Sequence, residues 1–164
     1  MDDTRRASAV LVFLFHNKEE YHVLFTERSD AVNLHKGQVC FPGGTREPSD
    51  SSLLETALRE SQEEIGLKPE HVEILGELDD ELTLTSDYII RPFVALIPYP
   101  YPLRADRREI KEIFSIPLSV LMDESNFDKN SCTYKYEGHI IWGATARILK
   151  QLVDLLKSES GAFR

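Results

Sequence analysis

Between Gly43 and Leu67 the chain reads GGTREPSDSSLLETALRESQEEIGL, a glycine pair leading into a helix whose charges are hard to explain by stability alone. Ser52 with Glu55 three residues on fits a capping box, and Gly66 followed by Pro69 fits a stop. Leu54, Ala57, Leu58, Ser61 and Ile65 recur at helical spacing, which predicts the stripe laid against a sheet. Ser61, small and in mid-stripe, implies close packing of helix on sheet. Glu60, Glu63 and Glu64 span an arc of roughly 100°, and the stripe predicts that this arc faces away from the core. Glu60 and Glu64 are one turn apart, where like charges repel. Glu63 and Glu64 also lie near the C-terminal end, where the macrodipole prefers cations. A run of charge is most often a solvated face. Here the cost makes sense if a divalent cation binds, with Arg59 pairing to Glu55 or Glu63 and fixing a carboxylate in place.

The flanks supply a sheet for that helix. Ser8 to Phe15 is a continuous apolar run of β-formers and predicts a buried strand, with Tyr21 to Arg28 as its partner after a turn at Asn17-Lys18. Val39 to Phe41 predicts a short strand ending at Pro42-Gly43-Gly44, where two glycines mark a tight turn or a close backbone approach. Val72 to Leu82, Tyr88 to Ile97 and Glu109 to Ile116 predict further strands, with a turn at Thr85-Ser86-Asp87. Pro98 to Pro102 reads as a stiff connector with two tyrosines. Cys132 to Tyr136 and His139 to Ile141 read as a hairpin about Gly138, and Gly143 to Lys157 as a closing helix. No repeat or linker divides residues 1–164, which predicts a single domain.

Charge and cysteine content narrow the partners. A net charge of -9 argues against general nucleic-acid binding and against an anionic membrane surface. An anionic ligand would need metal ions and a local basic patch to offset that field. The longest apolar run, Ala9 to Phe15, is too short to span a bilayer. Cys40 and Cys132 make no disulfide framework, so a reducing, cytoplasmic setting fits. The N-terminus lacks signal-peptide order, and Ala162-Phe163-Arg164 is no peroxisomal address. The five histidines show no zinc spacing, and Cys40 reads as a buried strand residue rather than a nucleophile.

With these residues in view, the stretch resembles the signature of the Nudix hydrolases. Arg59, Glu60, Glu63, Glu64, Gly66 and Leu67 match the second half of that box. The first half departs: Asp50 stands six past Gly44 where the box has glutamate, the gap to Arg59 is one residue too long, and Ser61 replaces an aliphatic residue. These departures look like the coenzyme A pyrophosphatase branch. Leu24-Phe25-Thr26-Glu27-Arg28-Ser29, Gly37 and Phe41-Pro42-Gly43-Gly44 resemble the pattern preceding the box in that branch, with Asn33 where it has arginine. Ile141-Trp142-Gly143-Ala144-Thr145-Ala146-Arg147 looks like the segment that closes its members. The resemblance runs from about Val10 to Leu156.

It implies an α+β Nudix fold, an α/β/α sandwich with a mixed central β-sheet between helices. It implies hydrolysis of coenzyme A or its thioesters to 3',5'-ADP and (acyl-)4'-phosphopantetheine, by a monomer or homodimer using Mg2+ or Mn2+. Glu60 and Glu64 would be the main metal ligands, and Glu63 a ligand or an acceptor of the water's proton. A carbonyl of Gly43 or Gly44 would add an oxygen to these, and Glu109 or Glu112 a further carboxylate. Arg59 would orient a glutamate. Arg28, with the loop carrying His35 and Lys36, could meet the phosphates. Two alternatives remain open: another nucleoside diphosphate substrate such as ADP-ribose or a dinucleotide, and a non-catalytic module that senses a nucleotide.

Overall fold

The computed structural model describes residues 5–31, 37–83 and 87–159. Its organising strand is β1 (Arg6–Asn17), the longest in the chain's main sheet. β1 is apolar without a break from Ala9 to Phe15 because both of its faces are covered there, as is usual for a strand in the middle of a layered sheet. Val12 and Leu14 point to one side and pack with Ile148, Leu149, Leu152 and Val153 of α3 (Gly143–Ser158). Ala9, Leu11, Phe13 and Phe15 point to the other and pack with Ala57 and Ile65 of α1 (Leu53–Ile65). Helix, sheet and helix thus form the expected three layers.

β1 shares one edge between two partners. Its Leu14–Asn17 half pairs antiparallel with β2 (Glu20–Arg28), and Ser8 to Val10 pairs antiparallel with β4 (Gly43–Thr45). Between them β3 (Val39–Cys40) lies on β2, and Leu11 N donates to the carbonyl of Pro42 at 2.9 Å. The other edge of β1 carries β7 (Tyr88–Leu96) in parallel, which makes the sheet mixed. β5 (Glu73–Glu77) and β6 (Glu81–Leu82) lie on β7, and β8 (Ile110–Pro117) lies on β2. After α2 (Leu118–Met122), β9 (Phe127–Asp128), β10 (Thr133–Tyr136) and β11 (His139–Ile141) form a small second sheet.

Two expectations change. The glycine pair is not a turn but strand β4, which leaves the close-approach reading as the correct one. Val72 to Leu82 is not one strand: it breaks between β5 and β6. Leu78 N donates to the carbonyl of Pro92 at 2.9 Å, but Pro92 has no N–H to return, so the ladder stops there. The released segment is held from its sides, with Asp80 forked by Arg91 at 3.0 and 3.2 Å and the backbone of Asp79 bonded both ways to Gln151 of α3. In the connector, Tyr99 stacks on Phe15 with ring centroids 5.0 Å apart, and Tyr101 OH accepts from Lys68 N at 3.1 Å. Among the expected features, His35, Lys36, Asn33 and the turn residues Thr85 and Ser86 lie outside the described residues.

Candidate active site

α1 begins and ends as its sequence predicts, with one exchange of partners. Ser52 Oγ accepts from Glu55 N at 3.1 Å, and Gly66 closes the helix in the left-handed region, its N–H on the carbonyl of Gln62. The Glu55 carboxylate reaches past Ser52 to Ser51, accepting from its N–H at 2.9 Å and from its hydroxyl. Its hydrogen bonds thus go to Ser51 rather than to Arg59.

The buried face of α1 comprises Thr56, Ala57, Ser61, Glu64 and Ile65, with Leu54 and Leu58 half-buried. The expectation that all three glutamates face away from the core is thus corrected at Glu64, which is 2% exposed. Helix geometry accounts for it. Glu64 is seven residues after Ala57 and so returns to within about 20° of it on the helix circumference. One edge of the acidic arc overlaps the apolar stripe.

Glu64 Oε1 accepts from Gly43 N at 3.0 Å, so α1 and β4 are joined at this carboxyl. Burial pushes its pKa up to about 8, and the Glu60 charge adds to the rise. Glu60 is raised as well, again chiefly by burial. The glycines make this approach possible. A Cβ on Gly43 would stand 2.2 Å from the Ala9 carbonyl oxygen and 2.6 Å from Val10 Cα; one on Gly44 would stand 2.6 Å from the Glu60 carboxyl carbon. The two sites therefore fail differently. Gly43→Ala collides with backbone and should lower the melting temperature by roughly 5 to 10 °C. Gly44→Ala displaces only the end of a side chain, so it should melt near wild type while losing activity. Thermal melts run beside turnover measurements distinguish the two.

Arg59 is the hub of the site. Its Nε donates to Asp50 Oδ1 at 2.9 Å and one terminal nitrogen to Oδ2 at 3.0 Å; the other reaches Glu60 at 3.0 Å and Glu63 at 3.4 Å. Asp50 is fully enclosed, and its Oδ2 also accepts from Thr56 Oγ1 at 2.8 Å and Glu47 N at 2.9 Å. The Arg59 guanidinium, ahead of the other donors, holds the Asp50 carboxyl well below the usual carboxylate range. Asp50 was singled out in the sequence only as a departure from a pattern; the structure makes it the anchor of Arg59.

The remaining candidates separate. Glu109 immediately precedes β8 in a loop docked on the end of α1, where Arg104 N donates to the carbonyl of Ile65 and Asp106 N to that of Glu64, each at 2.8 Å. The Glu109 charge reaches both Glu60 and Glu64, and that of Arg28 reaches Glu64. Glu112 lies elsewhere: it is opposite Glu27 across β8 and β2, and 3.8 Å from His139 Nε2. Cys40 sits against Thr26 Oγ1 at 3.4 Å, and burial pushes its thiol up.

Among the described residues no three His, Cys, Asp or Glu side chains already converge as a metal cage. The donors nevertheless suit a hard divalent cation. They are carboxylate oxygens, and the burial that raises Glu60 and Glu64 is a cost a cation would offset.

A family model described as the NUDIX domain matches residues 5–132. A protein described as the uncharacterized Nudix hydrolase NudL, from Photorhabdus laumondii, is 35% identical over 164 residues, covering 94% of this chain and 87% of its own. Among solved structures, a Caenorhabditis elegans Ap4A hydrolase in a binary complex superposes with a TM-score of 0.64 at 15% identity, covering 93% of this chain and 98% of its own. The NUDIX domain of Shewanella oneidensis NrtR, crystallised with ADP ribose, superposes with a TM-score of 0.63 at 15% identity, covering 94% and 90%.

Proposed function

The chain belongs to the Nudix hydrolase family, and from that premise we propose that it hydrolyses the diphosphate bond of coenzyme A or its thioesters in the cytoplasm, giving 3',5'-ADP and (acyl-)4'-phosphopantetheine. Hydrolysis of a nucleotide diphosphate and the use of a divalent metal ion are general to the family. The observation that carries the reaction is the pair Glu60 and Glu64, gathered over Gly43 and Gly44 where side chains are excluded. The coenzyme A assignment is supported by the pattern from Leu24 to Gly44 and by Ile141 to Arg147.

Glu60 and Glu64 would hold Mg2+ or Mn2+, with Glu63 and Glu109 as further carboxylates within the same field. The bound ion supplies charge neutralisation of the diphosphate and makes water more acidic. Arg59, held by Asp50, keeps Glu60 and Glu63 oriented. Arg28 offsets the charge of the diphosphate at the end of β2. Water's oxygen bonds to one phosphorus, the bridging P–O bond breaks on that side, and the bridging oxygen leaves with the other phosphate. Glu63, exposed beside Arg59, would serve as a further ligand or take the water's proton.

The relatives favour one second reading, the same reaction on another nucleotide, since one structural neighbour is an Ap4A hydrolase and another was crystallised with ADP ribose. The test is a parallel assay of coenzyme A, ADP-ribose and Ap4A with Mg2+ and with Mn2+. Coenzyme A should give two product masses at the highest kcat/KM. Intact coenzyme A under both metals, with either other substrate consumed, moves the assignment to that substrate.

A further inference from the structure

Past Gly44 the glycine strand runs into a cleft of about 480 Å³ lined by Arg6, Ala7, Thr45, Arg46, Glu47 and Pro48. Two arginines in one cleft stand out in a chain of net charge -9. Pairing brings them together. Thr45 lies opposite Ser8, Arg6 is two residues along the same face of β1, and the parallel ladder sets Arg6 beside Tyr88. The Tyr88 hydroxyl accepts from Thr45 Oγ1 and from an Arg6 terminal nitrogen, both at 3.4 Å, and these bonds hold the phenol below its ordinary pKa. Arg46 is pinned by its backbone N–H to the carbonyl of Ala7 at 3.0 Å and by its guanidinium to the carbonyl of Asp50 at 3.3 Å. Glu47, the acid of the lining, has its carboxylate 3.7 Å from Arg59. Each guanidinium carries five N–H donors in a fork that suits a phosphate, and one side-chain bond leaves donors to spare.

The geometry points to a second phosphate subsite in this cleft, one that takes a phosphomonoester on the nucleoside side of the substrate, apart from the diphosphate that is cut. It rests on the diphosphate being held at Gly43 and Gly44. Arg46 follows Gly44 by two residues of chain, at most about 7 Å, which is the scale of one ribose. A 5'-diphosphate at the glycines and a 3'-phosphate at Arg6 and Arg46 are then bridged by the sugar. Arg28, whose charge is felt by Glu64, would serve the diphosphate rather than this cleft.

The test compares the wild-type protein with the double variant Arg6→Gln, Arg46→Gln, both side chains being exposed; each single variant is read as well, in case the double one melts early. The probes are 3',5'-ADP and 5'-AMP, which differ only in the 3'-phosphate, titrated into metal-free protein by calorimetry. Wild type should bind 3',5'-ADP about tenfold or more tighter, and the variants should lose that preference. A wild type without the preference, or variants that keep it, overturns the subsite. A turnover arm measures kcat/KM for coenzyme A over dephospho-coenzyme A, a ratio expected to collapse toward one in the double variant. If no coenzyme A is hydrolysed yet the binding preference still follows Arg6 and Arg46, the subsite stands and the substrate assignment falls. If coenzyme A is hydrolysed and the preference survives in the variants, the reverse holds.

Discussion

Glu64→Gln should lower kcat by about a thousandfold, the equivalent of roughly 4 kcal/mol of transition-state stabilisation, while the protein melts no lower than wild type. The two halves of this result come from the same feature. Glu64 is the buried member of the acidic set, and in the protein without metal its carboxyl is already pushed toward the neutral form by burial. Glutamine has the same shape, and its carbonyl can still accept from Gly43 N, so the joint between α1 and β4 survives. Removing an ionisable group that the fold keeps dry cannot cost stability in the way that cutting a cavity would. What glutamine lacks is the negative charge that a divalent cation requires. The measurement pairs single-turnover kinetics with thermal melts taken with and without Mg2+ or Mn2+. Metal should raise the melting temperature of wild type and barely move that of the variant. Near wild-type turnover would remove Glu64 from the ligand set. Low turnover together with a fallen melting temperature would make its role structural.

That pairing of burial and charge explains which parts of the molecule were legible in the sequence. β1 was legible because a strand covered on both faces must be apolar at every position, and α1 because its caps are local. Glu64 was misplaced because an apolar stripe is drawn from apolar residues, although its spacing from Ala57 put it on that stripe. β4 could not be read as a strand. Glycines carry no pattern, and its pairing depends on β1 being shared with β2, which is a property of the whole sheet. Glu109 could not be separated from Glu112 by spacing. The loop that brings Glu109 in is fixed by the end carbonyls of α1, far away in sequence. Asp50 showed in the sequence as an irregularity and acquires its meaning only from Arg59, nine residues on.

Asp50→Asn should therefore be the most damaging conservative change outside the acidic set, lowering kcat roughly 10- to 100-fold and the melting temperature by roughly 5 to 10 °C. The two Asp50 oxygens accept from four donor atoms: Nε and a terminal nitrogen of Arg59, Thr56 Oγ1 and Glu47 N. Asparagine offers an acceptor on one side only and turns two further N–H donors toward groups that already donate. The guanidinium loses its one enclosed, two-pronged counter-charge and keeps only the more exposed Glu60, Glu63 and Glu47, so Glu60 and Glu63 lose the fixed partner that orders them. The acid limb of the stability curve tests the cause. The folded-state pKa of Asp50 is depressed, so its stabilisation is complete above the ordinary value of 3.8 and is lost as pH falls toward the lower folded value. The gap in melting temperature between wild type and Asp50→Asn should be widest near neutral pH and should narrow below 3.8. A gap of constant width down the acid limb would mean that shape, rather than the charge shared with Arg59, is what Asp50 contributes. Retained turnover in a variant that melts early would likewise confine Asp50 to the fold and leave Arg59 to orient Glu60 without it.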